Sequence, residues 1–226
     1  MPAPKSLIVN SPYAAPAQHL QQARDGGLTL VPKRREAGYE IFDVRNNTRR
    51  TEPLDRVNEI RGRVDAWRAA DCPGITSVTR ALLDHWRDRA PGARDLPFYF
   101  CQIEAIETLI WWTEATQEFR QGVNIPGDGG AWERLCSKMA TGTGKTTLMA
   151  MIITWQVLNA LTYPKRNKDF SKSVFVVAPG LTVKERLRVL YPGDQANFYD
   201  VFGQHFVAAV DAAQRHVGTD DDAVVA

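Results

Sequence analysis

Cysteine is scarce in this chain of 226 residues: Cys72, Cys101 and Cys136 stand far apart and form no Cys-x-x-Cys pair. A zinc knuckle and a disulfide framework are therefore excluded, and reduced thiols in a cytoplasmic protein are the expectation. The four histidines, His19, His85, His205 and His216, have no ligand spacing with cysteine or one another, so they announce no metal centre. Long apolar runs are absent too. The longest, such as Val174–Ala178, are about strand length, far below the roughly 20 residues that span a bilayer. Met1-Pro-Ala-Pro-Lys5 leads into polar, proline-containing sequence without a signal-peptide core, so no membrane partner is expected. Charge of one sign is lacking as well: 28 Lys and Arg against 26 Asp and Glu exclude a histone-like protein and an acidic solvating chain. There are no internal repeats. With 44% hydrophobic and 24% charged residues, the chain has the composition of an ordinary globular protein, one large domain or two small ones.

The order of elements is legible in places. The first fifty residues are rich in Pro, Gly and Arg, with short β-prone pieces at Leu28–Val31 and Tyr39–Val44, and read as loops and a hairpin. Leu54, Val57, Ile60, Val64 and Trp67 then recur at helical spacing, as do Val78, Leu82, Leu83 and Trp86 in a second helix stopped by Pro91-Gly92. A third helix is expected from about Gln102 to Phe119. Trp67, Trp86 and Trp112 fall on apolar helical positions and are expected to pack rather than to stack on nucleic acid. Residues 121–132 carry every loop signal. After them the sequence predicts a short strand at Arg134–Ala140, a Gly-rich turn, a helix from Lys145 to Leu161, and a basic connector with Lys165, Arg166, Lys168 and Lys172. A buried strand at Ser173–Ala178 and a helix opened by a Thr182/Glu185 capping box complete the pattern. Strand, loop, helix, strand, turn, helix is the opening of a parallel α/β sheet.

The segment richest in chemistry is Met139-Ala-Thr-Gly-Thr-Gly-Lys-Thr-Thr147. A polyphosphate needs several N–H donors converging on its oxygens, and a tight glycine-containing turn aims successive amides inward to supply them. Gly142 and Gly144 can take positive φ and leave room where a Cβ would collide. The following helix N-terminus favours negative charge. Lys145 would reach the β- and γ-phosphates of ATP, and the Thr146 hydroxyl would sit on Mg²⁺, with Thr141, Thr143 and Thr147 completing the cradle. The strict pattern wants glycine where this chain has Met139.

Met-Ala-Thr-Gly-Thr-Gly-Lys-Thr resembles motif I of superfamily-two helicases of the DEAD/DEAH-box group, and in particular the type III restriction enzyme R (Res) subunit. Val176–Leu187 is similar to motif Ia and its helix, Phe98–Glu107 resembles the Gln-containing helix upstream of the phosphate loop, and Val9–Tyr13 looks like the start of that family. The resemblance implies a partial RecA-like P-loop NTPase domain, a parallel sheet with flanking helices, preceded by a mixed and mostly helical N-terminal region. It divides the chain into an extension at 1–97, the first part of the ATP-binding domain at 98–200, and a divergent, poorly ordered tail at 201–226. It implies that Gln102 recognises the adenine edge, against the plainer reading of an ordinary helix N-terminal residue. Phe98 and Tyr99 are read either as base-stacking rings or as core anchors. Pro179, Gly180 and Thr182 would touch the backbone of DNA, and a methylation/specificity subunit would be the protein partner. The basic connector would add attraction for DNA or simply be a solvated loop.

Other family parts are missing. No Asp-Glu pair follows Lys145, and Asp220-Asp221-Asp222 has no apolar strand before it. The second ATPase lobe and the nuclease domain are not present, and the ending reads like a frameshifted or truncated terminus. Two functions follow as expectations: the ATP-binding part of a DNA-dependent translocase in restriction, or a module that binds ATP without efficient hydrolysis. Another P-loop NTPase, such as a small-molecule kinase, fits less well because nothing after residue 180 looks like a lid.

Overall fold

The computed structural model describes residues 7–23, 26–90, 97–127, 129–131 and 134–201. Beyond Val201, the expected tail lies outside the described residues, as does the Pro91-Gly92 stop. Two antiparallel hairpins open the chain. Strand β1 (His19–Gln22) pairs with β2 (Leu28–Val31), and β3 (Gly38–Asp43) pairs with β4 (Thr48–Pro53), Phe42 facing Arg49 and Ile41 facing Arg50. The second hairpin turns where the Asp43 carboxylate accepts the Arg45 and Asn46 amides and Asn47 takes a left-handed φ of 49°. The two β-prone pieces read from the sequence are thus in separate hairpins, each paired with a more polar strand that periodicity does not reveal.

Helices form the rest: α1 (Asp55–Ala69), α2 (Ser77–Arg87), α3 (Phe100–Glu114), α4 (Gln117–Arg120), α5 (Lys145–Thr162), α6 (Leu181–Arg186) and α7 (Phe198–Val201). Helix α2 starts where the Thr76 hydroxyl accepts the Thr79 amide. Helix α3 stops earlier than its apolar pattern suggests, because Ala115 turns extended (ψ 147°), and a separate short helix carries Phe119. The Thr182/Glu185 capping box does not form: Thr182 lies inside α6, whose N-cap is Gly180 and has no side-chain cap. Val64, Trp67, Leu83, Trp86, Ile106, Ile110, Trp111, Met151 and Trp155 are buried together in one core. On α5 the buried positions Leu148, Met151, Trp155 and Asn159 recur every three or four residues, so one stripe of that helix faces the core.

The expected parallel-sheet, RecA-like domain is not what this chain forms. Among the described residues the only sheets are the two antiparallel hairpins. Residues 134–140 and 173–178 form no helix and enter no ladder. A buried strand in a parallel sheet has both faces covered; here Phe175 and Val177 are 76% and 74% exposed. The continuous apolar run suggested a buried strand, while pairing depends on neighbouring strands that the described residues do not bring alongside.

Two buried carboxylates tie the helices. Glu107, 1% exposed, accepts from Arg68 of α1 and Arg87 of α2. Glu114 makes no ion pair among the described residues. It instead accepts the Thr79 hydroxyl (2.7 Å), the Trp155 indole N–H (2.7 Å) and the Thr76 amide (2.8 Å), joining α2, α3 and α5. Asn159 closes the network through Thr76 and Thr79. At the other end of α3, Gln102 reaches Gly144 at the start of α5. The contacts Gln102–Gly144 and Glu114–Trp155 are 12 residues apart on α3 and 11 on α5. At about 1.5 Å per residue these are matched spans of roughly 17 Å, so α3 and α5 run side by side in the same direction.

Glu114→Gln puts an amide donor among three donors, and urea unfolding is expected to show a loss of about 2 kcal/mol; a change below about 0.5 kcal/mol would contradict the network. Burial also pushes the Tyr199 hydroxyl up to about 12, where it donates to Leu190 O at 2.9 Å. Its ionised form therefore favours the unfolded chain. The stability contribution is complete below about pH 10 and is lost as pH rises toward the folded value, on the order of 3 kcal/mol in all. Tyr199→Phe should flatten that alkaline loss in melts taken between about pH 9 and 12.

Candidate functional site

The turn at 141–147 follows the unpaired lead 134–140 and ends in α5. Its shape is set by two left-handed residues, Gly142 (φ 80°) and Gly144 (φ 76°), the second being the N-cap of α5. L-residues with a Cβ pay roughly 1–2 kcal/mol to sit there, so glycine at both positions is a backbone requirement. The Thr143 hydroxyl donates to Ala140 O at 2.7 Å, pinning the turn to its lead. Lys145 Nζ bends back over it and donates to Met139 O at 3.0 Å and Ala140 O at 2.7 Å. Among the described residues the first acceptor inside the helix is Gly144 O, taken by the Leu148 amide, and no group accepts from the backbone amides of 141–147. The turn therefore carries unclaimed amides, an ammonium and a helix start within a few residues of one another.

Helix α3 supports the turn from below. Gln102, 5% exposed, caps α3 by accepting the Tyr99 amide at 2.8 Å, and its Nε2 lies 3.4 Å from Gly144 O, a marginal hydrogen bond. Both ends of this amide are thus engaged by backbone, so its placement is that of a brace between α3 and the turn. Reading an adenine edge requires exchanging those contacts. Phe98 is buried in the core, whereas Tyr99 is 36% exposed and stacks obliquely on Tyr13, ring centroids 5.5 Å apart. Asn10 accepts the amides of Ala17 and Gln18, and Pro12 O accepts the Phe100 amide, which closes the loop that carries Tyr13 to that position. Tyr13 was marked in the sequence only by the Val-Asn-Ser-Pro-Tyr segment. Cys101 Sγ lies 4.0 Å from Thr143 O, and burial pushes its thiol up, so it is no ready nucleophile at neutral pH.

The structure brings Gln102 together with Gly144, next to the rest of the turn. Pro179 and Gly180 form an exposed bend before α6, and Thr182 is on its first turn. No hydrogen bond or ion pair among the described residues joins these three to the phosphate-type turn. For Mg²⁺, the Thr146 hydroxyl makes no hydrogen bond among the described residues, but no group of His, Cys, Asp or Glu there is fit to hold a metal. Mg²⁺ normally needs carboxylates plus phosphate oxygens, so the ion fits this turn only as one carried in by a polyphosphate. No helix of the described residues is long and apolar enough to cross a membrane.

Comparison of the chain with protein-family models, with curated proteins and with solved structures gave no match.

The two glycines differ in what surrounds them. A Cβ on Gly142 would meet nothing within 4 Å, while one on Gly144 would lie 2.0 Å from Gln102 Nε2. Gly142→Ala should therefore cost about 1 kcal/mol of backbone strain alone. Gly144→Ala should cost more, about 2–3 kcal/mol, and displace Gln102 from its cap; equal melting temperatures for the two variants would contradict the brace.

Proposed function

We propose that the chain is a nucleotide-binding module that grips the triphosphate of ATP, with its Mg²⁺, in the turn at 141–147. One observation carries the reading: two left-handed glycines leave the amides of 141–147 without acceptors at the head of an 18-residue helix, beside an ammonium that is bound only to carbonyls. Backbone amides of that kind favour oxyanions because they donate without reorganising. Lys145 would exchange the Met139 and Ala140 carbonyls for β- and γ-phosphate oxygens. That exchange is favourable because a charged acceptor makes the stronger hydrogen bond. Thr146 would turn its hydroxyl to the Mg²⁺ accompanying the phosphates. The exposed edge of Tyr99, backed by Tyr13 and joined to Gln102 through its backbone amide, would face the base.

Binding is proposed without efficient turnover. Hydrolysis needs a carboxylate to hold the metal and orient water, and a cation for the charge that develops on the transferring group; an arginine in that role is worth about 10³–10⁵ in rate. Lys145 is the one cation hydrogen-bonded at the turn among the described residues, with no arginine beside it, and neither it nor Thr141–Thr147 has a hydrogen bond or ion pair to a carboxylate there. The restriction-enzyme translocase suggested by the sequence resemblance remains the larger setting in which such a module would act.

Titration of the protein with a fluorescent ATP analogue, with and without Mg²⁺, tests this. Lys145→Ala removes one charge-assisted contact and should weaken binding about 10- to 100-fold. Phosphate release with the parent protein should stay at background. Equal affinity for the parent and Lys145→Ala, or robust turnover lost in that variant, would overturn the respective halves of the proposal.

A further inference from the structure

A polar groove of about 830 Å³ lies between the two hairpins, away from the turn at 141–147, and its charged lining is Lys33, Arg34, Arg35 and Arg49 against Glu36 and Glu40. We propose that this groove binds single-stranded nucleic acid, with guanidinium groups on the phosphates and the Phe42 ring under a base.

The hairpins fix the arrangement. In the β3–β4 register Phe42 faces Arg49 and Glu40 faces Thr51, so alternation puts Glu40, Phe42, Arg49 and Thr51 on one face. That face supplies the groove wall through Glu40, Arg49 and Thr51. Phe42 is 51% exposed, with the Arg49 guanidinium 6.0 Å from its ring centre. Every residue of β4 is exposed, so this face is open to a ligand. Arg49 has no ion pair among the described residues. Lys33 and Arg35 pair with Glu36 and Glu40 on surfaces more than half exposed, where solvent screens such pairs and leaves the side chains free to exchange partners. Arg34 is held by a two-pronged contact to Glu104 of α3. Of the four basic side chains in the lining, Arg49 alone has no carboxylate partner among the described residues. A basic groove interleaved with an exposed ring is the means by which proteins hold single strands without reading sequence, the ring accepting any unstacked base. A duplex offers no free base face to Phe42, and the groove is of small-ligand size.

The test uses the full chain and fluorescence anisotropy of a fluorescein-labelled oligothymidylate, beside a duplex of equal length, at 50 and 200 mM salt. Single-strand binding at low salt is expected, falling with salt as phosphate contacts dictate. Arg49→Glu should weaken it at least about 10-fold, and Phe42→Ala about 5-fold or more, as expected for a lost base stack. Arg56→Glu, the same charge change on the exposed side of α1, should stay within about 2-fold, and so should Lys145→Ala, which separates this site from the nucleotide turn. Melting curves matching the parent keep the variants interpretable. No single-strand binding, duplex binding as tight as single-strand, an equal loss in Arg56→Glu, or unchanged affinity in either Arg49→Glu or Phe42→Ala would each overturn the proposal.

Discussion

The Glu114 carboxylate is the contact on which the rest of the molecule depends. It sits 5% exposed and makes no ion pair among the described residues; its oxygens are met by an indole N–H from α5 and by a hydroxyl and a backbone amide from the start of α2. A buried anion is tolerated only when each lone pair has a donor. The requirement is mutual: Thr76, Thr79 and Trp155 must all be in place for Glu114 to be buried, and Glu114 must be there for α2, α3 and α5 to meet. The second carboxylate, Glu107, solves the same problem differently, with two guanidinium groups from α1 and α2.

From that junction order passes along two helices to the turn. Helices α3 and α5 run alongside each other, so fixing Glu114 against Trp155 also fixes Gln102 against Gly144, three turns away at the other end. The phosphate-type turn is thereby built on helices alone, without a sheet behind it. The chemistry does not demand one. Donated amides, positive-φ glycines and a helix start are local properties of 141–147, and the lead of 134–140 needs only to be extended to deliver the chain to them. The hairpins meet the lead where Lys138 donates to the Tyr39 hydroxyl at 2.9 Å and lies over its ring.

What the sequence made legible follows from which forces are local. Helices α1, α2 and α5 were readable because apolar residues at three- and four-residue spacing have one way to reach a core. The turn was readable because Gly-Thr-Gly-Lys-Thr concentrates residues with few other uses. The sheet was not: Val174–Ala178 is a continuous apolar run of strand length, but such a run states only a β preference, while a partner strand is a long-range event. The end of α3 was missed because 115–119 carry no glycine or proline to mark a stop, and the chain leaves the helix at Ala115 before a separate short helix begins at Gln117. Gln102 was picked out as a residue, yet its use was hidden, since nothing in a single sequence tells that its amide would be divided between the Tyr99 N–H and the Gly144 carbonyl. The Glu114 network is also illegible one residue at a time. A glutamate at the end of an apolar helix reads as a solvated charge until Trp155 and Thr79 are seen on either side of it.

The most direct measurement of the central claim is amide hydrogen exchange across residues 139–150, with and without Mg²⁺ and ATP. A triphosphate seated in the turn accepts from the amides of 142–147, so these should gain protection while the hairpin amides of β1 to β4 exchange as before. Unchanged exchange across 142–147 at a saturating ATP concentration would contradict the account.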